Sequence, residues 1–294
     1  MAKMPTLLEM LKAGVHFGHQ SSRWHPKMKQ FIFGERGGVH IIDIEKTQTQ
    51  LERAMTFATE TAARGGVIVF VGTKRQAQPI VEACAKDAGV PYINTRWLGG
   101  TLTNFAQIQR LIRHYLDLKD KSAKGELKKY TKLEQLQFSR EIEELEEKIG
   151  GLSTLTKLPD ALFILDARHE KTAVREATTM GVTMVALVDS NVNPRGIRYV
   201  IPGNDDAVGS LEMVTKLIAD AVKEGKARAT AIASEKAAAA AIVRVNAEDE
   251  VKLTDSSRAA VDDLDDATKE ELAVKAGVAK AEAKPEVRKP ENKK

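Results

Sequence analysis

Residues 67–77 run Val-Ile-Val-Phe-Val-Gly-Thr-Lys-Arg-Gln-Ala: five apolar residues in a row, stopped by Gly72. So short an unbroken apolar, β-branched run predicts a buried strand of a parallel sheet, apolar on both faces because both are covered. Working outward, the same signature returns at 161–165 (Ala-Leu-Phe-Ile-Leu) and 182–188 (Val-Thr-Met-Val-Ala-Leu-Val), with shorter runs at 91–93 and 199–201. Helical spacing fills the gaps at about 47–64, 74–88, 170–180 and 207–224. Strand and helix alternate, which predicts an α/β fold: a parallel sheet with helices on both faces.

One segment breaks the alternation. Residues 104–152 carry no strand signal, and their apolar residues recur in steps of three and four: Ile108, Ile112, Tyr115, Leu118, then Phe138, Ile142, Leu145, Ile149. Asp120–Gly125 is the strong breaker between the arms, and Gly150–Gly151 ends the second. The stripe is narrow, so the expectation is an antiparallel coiled-coil hairpin that projects from the sheet domain. At the other end, Phe31–Phe33 and Val39–Ile42 flank a glycine-rich turn (Gly34, Gly37, Gly38) and predict a β-hairpin. The expected organisation is a basic N-terminal segment with hairpin (1–43), an α/β domain in two parts (44–103 and 153–226) around the insertion (104–152), and a tail (227–294).

The 294 residues carry 45 Lys+Arg against 41 Asp+Glu, a net +4 that hides an uneven distribution. Residues 1–36 hold six cations against Glu9 and Glu35, whereas 231–294 hold 12 basic and 14 acidic residues and no aromatic. A segment without aromatic anchors and with five consecutive alanines (Ala237–Ala241) cannot bury much, so the tail is expected outside the core, with a fraying helix at its start. No apolar run reaches 18 residues, so no membrane partner is expected, and the N-terminus has no secretory pattern. The lone Cys84 excludes a disulfide framework, points to a reducing compartment, and is expected to be a small buried hydrophobe.

Three groups of residues are candidates for binding chemistry. After the first strand, Gly72 with Lys74 and Arg75 sits where open α/β sheets bind anions. No GxGxxG or GxxxxGK[ST] is present, so the readings are a plain turn, an RNA phosphate contact, or a nucleotide site. The N-terminal run interleaves Arg23, Trp24, Lys27, Lys29 and Arg36 with His and Phe residues, a pattern suited to RNA: cations pair with phosphates and rings stack on unpaired bases. Phe17, Phe31 and Phe33 are expected in the core. Third, Asp166, Asp189, Asp205 and Asp206 lie near strand ends with His169 nearby. Asp205 and Asp206 are expected to cap the following helix, Asp166 to open the turn into its own. The alternatives are a structural Mg²⁺, or Zn²⁺ with His16 or His19, and a catalytic pair. Otherwise no cofactor is expected. Nucleophilic catalysis has no support, since no Ser lies in a GxSxG elbow.

Seven stretches then fall in one order: LLEMLKAGVHFGHQSSRWHPKMKQFIF, HIIDIEKT, VIVFVGTKRQAQ, RWLGGTLTNF, PDALFILDAR, VALVDSNVNP and YVIPGNDDA. Together they resemble the bacterial-type small-subunit ribosomal protein S-two family (universal uS-two), from about Leu7 to Glu224. The resemblance implies a flavodoxin-like (Rossmann-like) sheet with a protruding coiled-coil hairpin, and no reaction. It implies binding to small-subunit ribosomal RNA near the junction of head and body on the solvent side. It also implies contacts with other ribosomal proteins, including docking of protein S-one for mRNA recruitment, a cytoplasmic site of action and no free homo-oligomer. Carried onto this sequence, it points to His16, His19, Arg23, Trp24 and Lys27, and to Arg96, Trp97, Gly99, Gly100 and Asn104. Arg96 then offers a planar donor fork to phosphate, and Asn104 caps the hairpin's first helix. Two departures are His25, where the family often has Asn, and Arg36–Gly37–Gly38 in place of an Arg-Asn-Gly turn. The alternative is a flavodoxin-like nucleotide-binding enzyme using Gly72, Asp166 and Asp189.

Overall fold

The computed structural model describes residues 4–231 and Ser234. The chain begins with α1 (Leu7–Lys12), whose Thr6 and Glu9 form a reciprocal capping box, and continues into β1 (Phe17–Gln20), β2 (Ile32–Arg36) and β3 (Val39–Ile42). These strands pair antiparallel in the order β1-β3-β2. Gly37 and Gly38, both at positive φ, make the β2–β3 turn, whereas Gly34 lies within β2 beside a register shift. The expected hairpin is present, with a third strand, β1, that periodicity did not announce: Phe-Gly-His-Gln has no apolar alternation.

Next come α2 (Ile44–Ala63), capped by Asp43, then β4 (Ile68–Val71), α3 (Gln78–Ala88) and the two-residue β5 (Tyr92–Ile93). The helical hairpin follows as α4 (Phe105–Ala123) and α5 (Lys132–Ile149). The sheet resumes with β6 (Ala161–Leu165), α6 (Lys171–Met180), β7 (Thr183–Val188) and β8 (Tyr199–Pro202), and α7 covers 208–231. All five strands of this second sheet run parallel in the order β5-β4-β6-β7-β8. By sequence rank that is 2-1-3-4-5, the flavodoxin-like order, with its switch point between β4 and β6.

The period-two alternation of the strands divides the core into two layers. Val69, Val71, Leu162, Ile164, Met184 and Ala186 face α6 and the base of the helical hairpin. Ile68, Phe70, Ala161, Phe163, Val185 and Leu187 face α2, α3 and α7, where the Phe70 and Phe163 rings meet edge to face at 5.0 Å. Both faces are covered, and the central strands β4 and β6 are apolar and buried at every position.

In the helical hairpin, Ile108, Ile112, Tyr115 and Leu118 are buried, while α5 buries only Ile149. Both feet rest on the sheet domain: Gln109 Nε2 donates to the Thr156 carbonyl (2.6 Å), and Thr95 Oγ1 to that of Glu147 (2.7 Å). Gly151 is pressed on β5 so closely that a Cβ there would lie 2.3 Å from the Tyr92 carbonyl oxygen. The connection is helical too, a 3₁₀ turn at Glu126–Lys129 behind Gly125 at φ +72°.

Several expectations need correction. Phe31 is buried, but Phe17 and Phe33 stand 50% and 81% exposed, because the small N-terminal sheet leaves them largely uncovered. Asp205 and Asp206 do not cap α7. Asn204 organises the turn that leads into it, its Oδ1 accepting from the amides of Asp206 (2.8 Å) and Ala207 (3.2 Å), both ahead of the first helical residue. Asn104 holds the N-cap position of α4 but makes no side-chain cap bond. Cys84 is half-buried. The tail lies outside the described residues from 235 onward. Among the described residues, no helix is long and apolar enough to cross a membrane.

Candidate nucleic-acid interface

The carboxyl ends of β4 and β6, beside the switch point, are where this fold brings ligands, and here the protein's own side chains meet. Lys74, in the turn after β4, sends its ammonium inward. It binds Asp206, lies 3.1 Å from Asp205 Oδ1 and 3.4 Å from Asp166 Oδ2, and donates to the Asp205 carbonyl at 3.0 Å. Burial opposes the lysine's charge, but the carboxylates of Asp206, Asp205 and Asp166 outweigh it and hold the ammonium well above its ordinary pKa. Asp166 sits at φ +69°, and its Oδ1 accepts from the amides of Arg168 (2.9 Å) and His169 (3.0 Å), so it opens the turn into α6 as expected. Local side-chain bonding of this kind lets Asp occupy the left-handed region.

His19 brings the N-terminal sheet onto this cluster. Its Nδ1 lies 3.0 Å from Asp189 Oδ2 and its Nε2 3.5 Å from Asp206 Oδ2. The bond to Asp189, aided by Asp205 and Asp206, raises the imidazole pKa against the opposing effect of burial. Asp205 is pushed up to about 7, first by burial and then by repulsion from Asp166 and Asp189. Backbone contacts complete the joint. His19 N donates to Ser190 Oγ (2.9 Å), His25 N to the Ser190 carbonyl (2.8 Å), and Asn204 N to the Val15 carbonyl (3.1 Å). Gly18 is required here, because a Cβ would sit 3.0 Å from both the His40 carbonyl oxygen and Ser190 Oγ.

Of the metal candidates, His19, Asp205 and Asp206 offer ligand atoms all within 4.8 Å of one another, a donor set that suits Zn²⁺ or Mg²⁺. Asp189 touches the same histidine and is fully buried. His16 is not part of the group: it stacks on Phe17 at 4.0 Å, and burial lowers its pKa. His169 is exposed.

The cations predicted to meet RNA divide into two kinds. Lys74 is turned into the carboxylates, leaving Arg75 as the exposed cation of that turn. Arg23, Lys27, Lys29 and Arg36 are exposed, and Trp24 is half-buried with its ring 5.1 Å from that of His40. Lys27 and Lys29 flank an open groove over Phe31, Ile197 and Val200, whose far side carries Arg195. Arg195 was not singled out in the sequence; its signal was the loop Ser190–Ile197 that follows a strand end, where binding residues gather.

The Arg-Trp-Leu-Gly-Gly stretch is organised by one buried carboxylate. Glu176 on α6 accepts from Trp97 Nε1 (3.1 Å) and from the amides of Gly100 (2.8 Å), Leu102 (2.9 Å) and Thr103 (3.2 Å). Burial disfavours its charge, but these donors more than compensate and its pKa is lowered. Trp97 is therefore buried, and Arg96 and Asn104 are exposed on either side of it.

Residues 10–225 match the family model of ribosomal protein S2. Over 239 residues the chain is 48% identical to the small ribosomal subunit protein uS2 of Francisella tularensis subsp. tularensis (strain WY96-3418), covering 81% of this chain and all of that protein. It is 49% identical over 219 residues to that of subsp. novicida (strain U112), covering 74% of this chain and 92% of the relative.

The acidic cluster makes stability fall as pH rises. Asp205 titrates near 7 in the folded protein, against an ordinary value of 3.8, so between about pH 4 and 7 unfolding releases a proton. His19, also raised, adds to stability that is complete below about pH 6.5 and lost as pH climbs through its folded value. Calorimetry of chelator-treated protein should show Tm dropping by roughly 5 °C from pH 5 to pH 8. Asp205→Asn should remove most of the fall.

Proposed function

The chain belongs to the ribosomal protein S2 family of the small ribosomal subunit, and from that premise we propose that it binds small-subunit ribosomal RNA through its N-terminal sheet. The family is one of structural components, and the chain is not an enzyme. The observation that carries the RNA reading is the groove that Lys27 and Lys29 share with Arg195, flanked by exposed Arg23 and Arg36. Unpaired cations there neutralise phosphates and release counterions, while Phe33, 81% exposed on β2, offers a face on which an unpaired base can stack. Arg96, Arg75 and Asn104 are further exposed donors in this reading.

A protein contact belongs to the same reading. Leu7, Leu8 and Leu11 of α1 are 39%, 69% and 41% exposed, and Val208 at the start of α7 is 53% exposed. The two helix ends adjoin, since a Cβ on Gly209 would lie 3.1 Å from the Ala13 carbonyl oxygen. This apolar surface is the docking site we assign to protein S-one. The chain works as one copy within the subunit, in the cytoplasm, and not as a free homo-oligomer.

For the carboxylate cluster we propose a structural divalent cation. Four carboxylates (Asp166, Asp189, Asp205, Asp206) face one lysine and one histidine, so negative charge is left over where it is most costly. His19, Asp205 and Asp206 would ligate the ion, which would neutralise that excess and fasten the N-terminal sheet to the α/β core.

Each part has its own measurement. Replacing Arg23, Lys27, Lys29 and Arg195 with Ala should flatten the salt dependence of binding to small-subunit ribosomal RNA by about 3 in slope, and tagged variant should leave the small-subunit peak in sucrose gradients; an unchanged slope overturns the groove assignment. Leu8→Glu should deplete S-one from purified small subunits without altering that slope. At pH 8, Zn²⁺ or Mg²⁺ should raise the Tm of chelated protein by several degrees and leave His19→Ala unmoved.

A further inference from the structure

We infer that the tip of the helical hairpin is a second, separate RNA-binding surface, which grips phosphates with Lys124, Lys128, Lys129 and Lys132 and stacks a base on Tyr130. The inference rests on the RNA reading above but on none of its residues.

Lysine along the hairpin is concentrated at its tip. Residues 119–132 hold six lysines against Asp120 and Glu126, whereas residues 141–147 on the stem hold five glutamates and no cation. The lysines of the tip are all exposed. Lys119 and Lys121 are already matched, by Glu146 (2.8 Å) and Asp117 (2.6 Å). Lys124, Lys128, Lys129 and Lys132 have no carboxylate within ion-pair distance among the described residues, so their charge is open to an outside anion. A solvated helix face ordinarily mixes both signs along its length. The shaft does mix them, with Arg110, Arg113, Arg140 and Lys148 beside its glutamates, so the excess of unmatched cations at the tip is what draws a polyanion there.

The tip is also built rather than loose. Gly125 turns the chain at φ +72°, a 3₁₀ turn carries Lys128 and Lys129, and Thr131 with Glu134 closes a capping box that starts α5. Tyr130 stands between these elements, 40% exposed, its ring edge-on to Phe138 at 5.3 Å and with Lys129 Nζ 5.5 Å from its centroid. An aromatic platform held by its neighbours, with Lys129 against its ring and further lysines close in sequence, is the arrangement that single-stranded RNA favours, because stacking needs no base identity and the lysines follow the backbone. Leu133 and Leu136 are exposed nearby, at 67% and 48%, which makes a protein partner the competing occupant. Four unmatched charges argue for the polyanion.

The test uses the full chain and small-subunit ribosomal RNA transcribed without other proteins. Changing Lys124, Lys128, Lys129 and Lys132 to Ala should lower the slope of log K against log salt by about 3, and Tyr130→Ser should weaken binding about tenfold at fixed salt with the slope unchanged. All five side chains are exposed, so circular dichroism should show the helix content intact. If the tip variant binds like wild type while the N-terminal variant loses affinity, the tip proposal is wrong and the groove stands. The reverse result keeps the tip and removes the groove. If tip substitutions displace the protein from assembled subunits but leave RNA binding untouched, the occupant is a protein and the proposal is overturned.

Discussion

The ammonium of Lys74 ties together parts of the molecule that the chain keeps far apart. It contacts Asp166 at the end of β6 and Asp205 and Asp206 after β8 while standing itself in the turn after β4. A single cation among three carboxylates leaves negative charge over, and His19 supplies part of the remainder from the N-terminal sheet. The mouth of the sheet, which in this fold usually receives a ligand, is thereby filled by the protein's own charges. The nucleotide-binding alternative needed that mouth open. The same contacts seat the cationic segment 16–36 on the α/β core.

Glu176 performs the equivalent task on the other side of β4. One carboxylate gathers an indole N–H and three amides, turning a glycine-containing stretch into a rigid corner from which α4 departs. Buried, fully hydrogen-bonded anions of this kind are costly to leave half-satisfied, so they fix one loop conformation over others. The hairpin's base and the exposed Arg96 owe their placement to it.

The sheet was legible in the sequence because a doubly covered strand must be apolar along its buried length, and 161–165 and 184–188 are. The hairpin was legible because Ile108, Ile112, Tyr115 and Leu118 keep helical spacing. What escaped were features made by long-range polar contacts. Lys74 read as an outward phosphate ligand, since its three carboxylates lie at least 92 residues away in sequence. Phe17 and Phe33 read as core because aromatic residues usually are, yet the three-stranded sheet is too small to cover both of its faces. Asp205 and Asp206 read as caps, yet both face Lys74, and Asn204 bonds the turn ahead of α7. Arg195 had only its place in a loop after a strand end as a signal, and the groove that it shares with Lys27 and Lys29 forms only when the chain folds.

The joint between His19 and Ser190 spans 171 residues, and that between Asn204 and Gly14 spans 190. The N-terminal strands leave the ribosome first, and the residues they rest on are made 171–190 residues later. At roughly 5–20 residues per second, the basic segment waits about 10–40 s before its support exists. During that interval it is a cationic, aromatic-bearing stretch in a medium full of nucleic acid. A cationic surface whose support is encoded 171–190 residues downstream has a built-in order of events: the sheet that carries it is made first and seated only once β7 and β8 have followed.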